Sequence, residues 1–120
     1  MRPKIEDAWF GSITVEGARY EYDIIIRLSG KVRRRNKQLS KAVYGTSHVL
    51  SLAEIVELHR KRADRIIIGT GFEGQVHLSP EAAAFLDKKK CPAELYPTPE
   101  AIEKWNKAEG LIIGLFHITC

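Results

Sequence analysis

Two cysteines, Cys91 and Cys120, are all the thiol chemistry that this 120-residue chain carries, and no C-x-x-C spacing joins them. Their scarcity excludes a disulfide scaffold and a cysteine-rich zinc module, and leaves two free thiols in a reducing compartment. The four histidines, His48, His59, His77 and His117, are scattered with no pair at ligand spacing, so no metal is expected. Apolar runs are short: none approaches the roughly 20 residues that a membrane helix needs. The opening Met1-Arg2-Pro3-Lys4-Ile5-Glu6-Asp7 has neither the apolar core of a secretory signal nor the acid-poor character of a transit peptide. A cytoplasmic protein without membrane contact is the expectation. Asn and Gln are scarce beside Lys, Arg and Glu, a thermophile-like leaning that says nothing about function. Repeats, low-complexity tracts and linkers are absent as well. Residues 1–120 therefore read as a single domain, long enough for one core and too short for two.

An excess of charge of one sign is missing from most of the chain. Lys31 to Lys41 holds six bases and no acid, while the remaining 13 bases face 15 acids. The net charge of +4 is thus a local patch. Only Tyr44 lies near it, so the interleaved aromatics of a nucleic-acid groove are missing and nucleic acid is an unfavoured partner.

The patterning that is present gives an α/β chain. Phe10 to Val15 and Arg19 to Ile24 alternate apolar and polar about the Glu16-Gly17 turn, which predicts an N-terminal antiparallel β-hairpin. Ile24-Ile25-Ile26 then reads as strand entering a covered sheet. Ser29-Gly30 is a turn, Lys31 to Arg35 a strand, and Asn36 to His48 a loop. Ser51-Leu52-Ala53-Glu54 is a capping box opening an amphipathic helix to about Lys61, with Leu52, Ile55, Val56 and His59 on its inner face. Ile66-Ile67-Ile68 is a strand buried on both faces. Gln75 to Leu78 is a short strand, and Ser79-Pro80-Glu81 caps a second helix. Ala93 to Tyr96 is a strand, and Thr98-Pro99-Glu100 caps a third helix lined by Ile102 and Trp105. Leu111 to Ile118 is a final apolar strand for the middle of the sheet. Strand–helix alternation implies a three-layer fold, a central mixed β-sheet covered by helices.

Gly69, Gly71 and Gly74 spell G-x-G-x-x-G after a strand, the dinucleotide fingerprint. The helix that should open inside that motif caps only at Ser79, so a nucleotide cofactor is not expected, and no other cofactor is implied. What remains is a tight turn whose Gly69, Thr70 and Gly71 amides are available to a small anion. Strand parity sends Arg34 inward with Val32 and leaves Arg33 and Arg35 outside. An inward arginine needs an acid, and Asp23, in an otherwise apolar strand, is the partner expected. Asp23, Arg33, Arg34, Gly69, Thr70 and Gly71 are accordingly the candidate ligand site. Parity also places His117 and Cys120 on opposite faces, against a local Cys–His dyad, and no catalytic residue is assigned. His59, Trp9 and Trp105 read as packed or core-edge residues.

A set of motifs then runs in order along nearly the whole chain: Phe10-Gly11-x-Ile13-x-Val15-x-Gly17, Tyr22-Asp23-Ile24-Ile25-Ile26, the arginine cluster, and Gly45-Thr46-Ser47-His48. Ile68-Gly69-Thr70-Gly71, Pro97-Thr98-Pro99-x-Ala101 and Phe116-His117-Ile118-Thr119-Cys120 complete it. The set resembles a widespread domain of unknown function in its single-domain archaeal and bacterial form. That family is shared with the adipogenesis-associated domain protein and an assembly factor of mitochondrial respiratory complex I. The resemblance implies a three-layer α/β fold and brings no agreed reaction, cofactor or catalytic residue. The Arg33-Arg34-Arg35 run departs from it, since relatives commonly carry an aromatic there. Three readings of function stand: a non-enzymatic binding, assembly or regulatory domain with an unknown protein partner; a small anionic-metabolite-binding protein or enzyme that uses the arginine cluster and the glycine loop; and, weakest, nucleic-acid binding through residues 31–41. The protein would work as a monomer or a small homo-oligomer.

Overall fold

In the computed structural model, which describes residues 2–120, three short strands come first: β1 Ile5–Trp9, β2 Ser12–Val15 and β3 Ala18–Tyr20. They form an antiparallel sheet in the order β1-β2-β3, so the expected hairpin of β2 and β3 gains a third strand. β1 escapes sequence patterning because Ile5 is its sole buried residue. The chain continues through β4 Ile24–Ile26, β5 Val32–Arg34, α1 Gln38–Tyr44, β6 Val49–Leu50 and α2 Leu52–Leu58. It then forms β7 Arg65–Thr70, β8 His77–Leu78, α3 Pro80–Lys88, β9 Ala93–Tyr96, α4 Thr98–Lys107 and β10 Ile112–His117.

The central sheet has the order β5-β4-β10-β7-β9. β4 pairs antiparallel with both β5 and β10, while β10–β7 and β7–β9 are parallel, so the sheet is mixed as expected. β10 lies in the middle with all six residues buried, beside the isoleucine strand. Alternation along the strands divides the core. Ile25, Ile66, Ile68, Ile113 and Leu115 face α2 and α3, packing on Ile55, Leu58 and Leu86. Ile24, Ile26, Ile67, Ile112 and Phe116 face the other way, onto Ile102 and Trp105 of α4 and Ile5, Ile13 and Val15 of the N-terminal sheet. The expected three layers are present. Burying these aliphatic side chains at roughly 1.5–3 kcal/mol each is the main force holding them together. No helix among the described residues is long and apolar enough to cross a membrane.

Four local expectations are corrected. Residues 36–48 hold a helix, α1, whose one buried residue is Ser40, so no apolar period announces it. The inner face of α2 is rotated: Leu52 and Val56 are exposed, whereas Glu54 is buried with Ile55 and Leu58. Its Ser51 cap accepts the Glu54 amide as expected, but the Glu54 carboxylate turns into the protein instead of back to the Ser51 amide. Ser51 N–H donates to Ser40 Oγ instead. Thr98 does not cap α4, because its hydroxyl is used elsewhere.

Candidate functional site

Asp23 precedes β4 and is buried, with one oxygen accepting the Ile118 amide at 2.9 Å. Its other oxygen accepts His117 Nδ1 at 2.7 Å and Arg35 Nη1 at 2.9 Å. The arginine that turns inward is thus Arg35, not Arg34. Strand parity fails because β5 ends at Arg34; Arg35 donates its amide to the Asp23 carbonyl at 2.9 Å, and its side chain turns under the sheet. There Arg35 forks onto Glu54, with Nε at 2.6 Å and Nη2 at 3.1 Å, and Nη2 also reaches the Ser47 carbonyl at 2.7 Å. Ser40 Oγ donates to Glu54 at 2.5 Å. Two carboxylates therefore share one guanidinium in the interior, and His117 borders the excess negative charge.

Burial alone would raise the Asp23 carboxyl. The hydrogen bond and charge of His117, the Ile118 amide and Arg35 outweigh it and lower the pKa from an ordinary 3.8 to about 2. His48 is pushed down from 6.5 by burial and by the neighbouring charges of His117 and Arg35. Both shifts work against acid. The unfolded chain protonates His48 first as pH falls through about 6.5, and folding loses stability there. The Asp23 contribution is complete above about pH 4 and is lost between about pH 4 and 2, roughly 2 kcal/mol in all. Urea unfolding across pH should show both losses; His48→Gln should shrink the first, which His59, also pushed down by burial, shares, and keep the second. A flat profile from pH 7 to 3 would contradict the assignment.

At the open side of this network stand His48, Thr119 and Cys120, all half-buried. Thr119 Oγ1 lies 3.1 Å from His117 Nε2, and Cys120 Sγ 3.4 Å from His48 Nε2. The two imidazoles meet edge-on at 5.5 Å. Parity predicted His117 and Cys120 to point apart. β10 ends at His117, however, and residues 118–120 bend across the glycine turn. That turn supplies its amides to them: Phe72 N–H donates to the Thr119 carbonyl at 2.8 Å, and Glu73 and Gln75 N–H to the Cys120 oxygen at 3.2 Å each.

The sequence-level site is not assembled as expected. Gly69 and Thr70 are paired inside the sheet, and Thr70 Oγ1 donates to the Tyr96 carbonyl at 3.0 Å. The Gly71 amide donates to Thr98 Oγ1 at 2.8 Å, and that hydroxyl donates to the His117 carbonyl at 2.6 Å. No open amide cradle remains there. Arg33 and Arg34 are exposed, Arg34 with its guanidinium 4.8 Å from the Tyr22 ring. β4 and β10 separate their strand from β7, about 14 Å at ordinary strand spacing, so arginines and glycines share no pocket. Of the six candidates, only Asp23 belongs to the cluster.

Glu54, Arg35, His48 and Cys120 were missed as a group. A signal for Glu54 existed: it sits four residues before Leu58 and next to Ile55, on the arc that α2 buries. Nothing in the sequence brought His48 to Cys120.

A family model described as a protein of unknown function, DUF498/DUF598, matches residues 5–111. The chain belongs to that family. Among solved structures, this DUF498/DUF598 chain is similar to conserved hypothetical protein PH1505 from Pyrococcus horikoshii OT3. The two are 32% identical over 98% of this chain and 99% of that one, with a TM-score of 0.91. It is also similar to MT938, at 33% identity over 98% and 99% of the two chains and a TM-score of 0.84. A Mth938-like domain from Bordetella pertussis shares the fold at 16% identity and a TM-score of 0.64, over 97% and 85% of the chains. No curated protein matches. The family resemblance and the fold it implied are both borne out, and the domain remains one of unknown function.

Proposed function

We propose that this DUF498/DUF598 chain is a binding domain that docks a partner protein and does not turn over a substrate. The observation that carries the reading is an aromatic tip. Trp9 and Phe10, at the β1–β2 turn, are 72% and 64% exposed. Gly11 N–H donates to the Ile118 carbonyl at 2.7 Å, which fixes the tip beside the His48–Cys120 cluster. Phe10 lies 6.1 Å from the half-buried Phe72, so two aromatic rings meet at the tip, with the exposed Trp9 next to them in sequence. Large aromatics left in water on a rigid hairpin are the residue types that anchor protein interfaces.

Two further features favour binding over catalysis. Thr119, His117 and Asp23 stand in the order of a hydroxyl–imidazole–carboxylate triad, but acyl transfer also needs backbone donors for an oxyanion. The amides of Phe72, Glu73 and Gln75 are already donated to the chain's own carbonyls. Capture of a small anionic metabolite is less favoured because the arginines and the glycine turn are apart.

The reading predicts that Trp9→Ser/Phe10→Ser folds with an unchanged melting temperature yet loses a partner that the wild-type domain retains. The measurement is cross-linking in an extract of the native cell, identification of the bound protein, and reconstitution with purified partner. Equal retention by both forms would refute the docking face, as would a domain that only self-associates through it.

A further inference from the structure

We propose that His48, His117 and Cys120 form a binding site for a divalent first-row transition metal ion, with zinc(II) as the reference ion. This goes beyond the docking reading and does not depend on it. Two distant parts of the chain supply the residues: His48 from the segment before β6, and His117 and Cys120 from the end of β10 and the bend that follows it. One ligating atom from each converges so that all lie within 4.8 Å of one another. Donors bound to one tetrahedral zinc, at about 2.0–2.1 Å for nitrogen and 2.3 Å for sulfur, stand roughly 3.3–3.6 Å apart. The Cys120 Sγ to His48 Nε2 separation of 3.4 Å is already such an edge. The others are at most 4.8 Å.

The surroundings have the features that a zinc site needs and a plain packing contact does not. His117 is buried, and its Nδ1–H is committed to Asp23 at 2.7 Å. That bond fixes the tautomer and aims the Nε2 lone pair at the cluster, where it accepts the Thr119 hydroxyl at 3.1 Å. A carboxylate behind a ligating imidazole is the usual outer partner of a bound metal, and here Arg35 and the Ile118 amide hold the carboxylate itself. His48 and Cys120 are half-buried, which leaves a path for the ion from solvent. Two imidazoles and a thiolate select borderline ions over magnesium or calcium, which prefer oxygen ligands. On binding, the Cys120 S–H bond is replaced by a sulfur–metal bond and the proton passes to solvent. Three protein donors leave a fourth position, on the side where Thr119 and Cys120 meet solvent, for water or a donor from a partner.

The test uses the full chain, reduced, metal-free and without a histidine tag. Titration with cobalt(II) should give one ion per chain, a thiolate-to-cobalt charge-transfer band and the visible absorption of a four-coordinate ion, all displaced by zinc(II). Cys120→Ser should abolish the charge-transfer band. His48→Gln should weaken zinc(II) binding by more than about tenfold, and Asp23→Asn by about 10–100-fold. Cys91→Ala should leave the band in place, because Cys91 is not among the converging donors and is buried within the α2–α3 core. The absence of a thiolate band in the wild-type chain would overturn the proposal. So would Cys120→Ser and His48→Gln both binding zinc(II) as the wild type does. His48 and Cys120 carry little of the core, so their variants stay folded and the answer does not rest on Asp23→Asn alone.

Discussion

Arg35→Met should cost this protein about 3–5 kcal/mol, the largest loss expected of any single polar change in it. The reason is the count of buried charge. Asp23 is 3% exposed and Glu54 4%, and among the described residues Arg35 alone forms an ion pair with both. Methionine fills much of the volume but leaves two carboxylates in the interior, short of three N–H bonds to the guanidinium. A packing defect and an uncompensated charge predict different pH dependence. Without Arg35 the buried Asp23 carboxylate ionises less readily, so the variant should recover part of the deficit as pH is lowered from 7 toward 5, where the wild type has not yet lost the Asp23 contribution. Arg35→Met/Glu54→Gln should likewise be more stable than Arg35→Met, because one orphaned charge is gone. Urea unfolding of the wild type, the single variant and the double variant measures each term. A single-variant loss under about 1 kcal/mol, or a double variant less stable than the single, would show that the network does not hold α1 and α2 to the sheet through charge.

Arg35 also marks where sequence reasoning stops. The question put to Asp23 was sound: an acid in Tyr22-Asp23-Ile24-Ile25-Ile26 had to find a cation. The answer by parity chose Arg34, since parity holds only while the strand continues, and β5 ends at that residue. The same error separated His117 from Cys120, because β10 ends at His117. The isoleucine runs were legible because burial on both sheet faces depends only on local composition. The polar site was not, because it is made at strand ends and helix starts, where side-chain direction follows from tertiary bends. α1 was invisible for a related reason. Its buried face is a serine bonded to Glu54, a polar contact without hydrophobic period. The capping box was half right: the hydroxyl kept its local role, and the carboxylate was drawn away by a stronger, charged partner.

The glycine turn tests how that tertiary bend is made. Gly71 has φ +101°, and a Cβ placed there would stand 2.5 Å from the Cys120 carbonyl carbon and 2.7 Å from His117 Cδ2. Gly74 in the same turn also has positive φ, +67°, but its Cβ would meet nothing closer than Thr70 Oγ1 at 3.8 Å. The two positions therefore separate backbone conformation from close approach. Gly74→Ala should cost about 1 kcal/mol, the strain of a left-handed residue. Gly71→Ala adds a collision with main chain that no side-chain rotation relieves, and should cost about 3 kcal/mol. Relief requires residues 118–120 to lift, breaking the Phe72, Glu73 and Gln75 amide bonds to their carbonyls and drawing Cys120 Sγ away from His48. Gly71→Ala should consequently make Cys120 react several-fold faster with a thiol probe, while Cys91, 1% exposed, stays protected as long as the chain is folded. Gly74→Ala should leave the Cys120 rate near that of the wild type. Equal stability losses at the two glycines, or a Cys120 rate unmoved by Gly71→Ala, would mean that the bend is set by the Gly11–Ile118 bond and the Asp23–Ile118 bond alone. If the rates divide as expected, the glycines that imitate a nucleotide fingerprint have a different use: a passage free of side chains that lets the last turn of chain bring Cys120 onto His48.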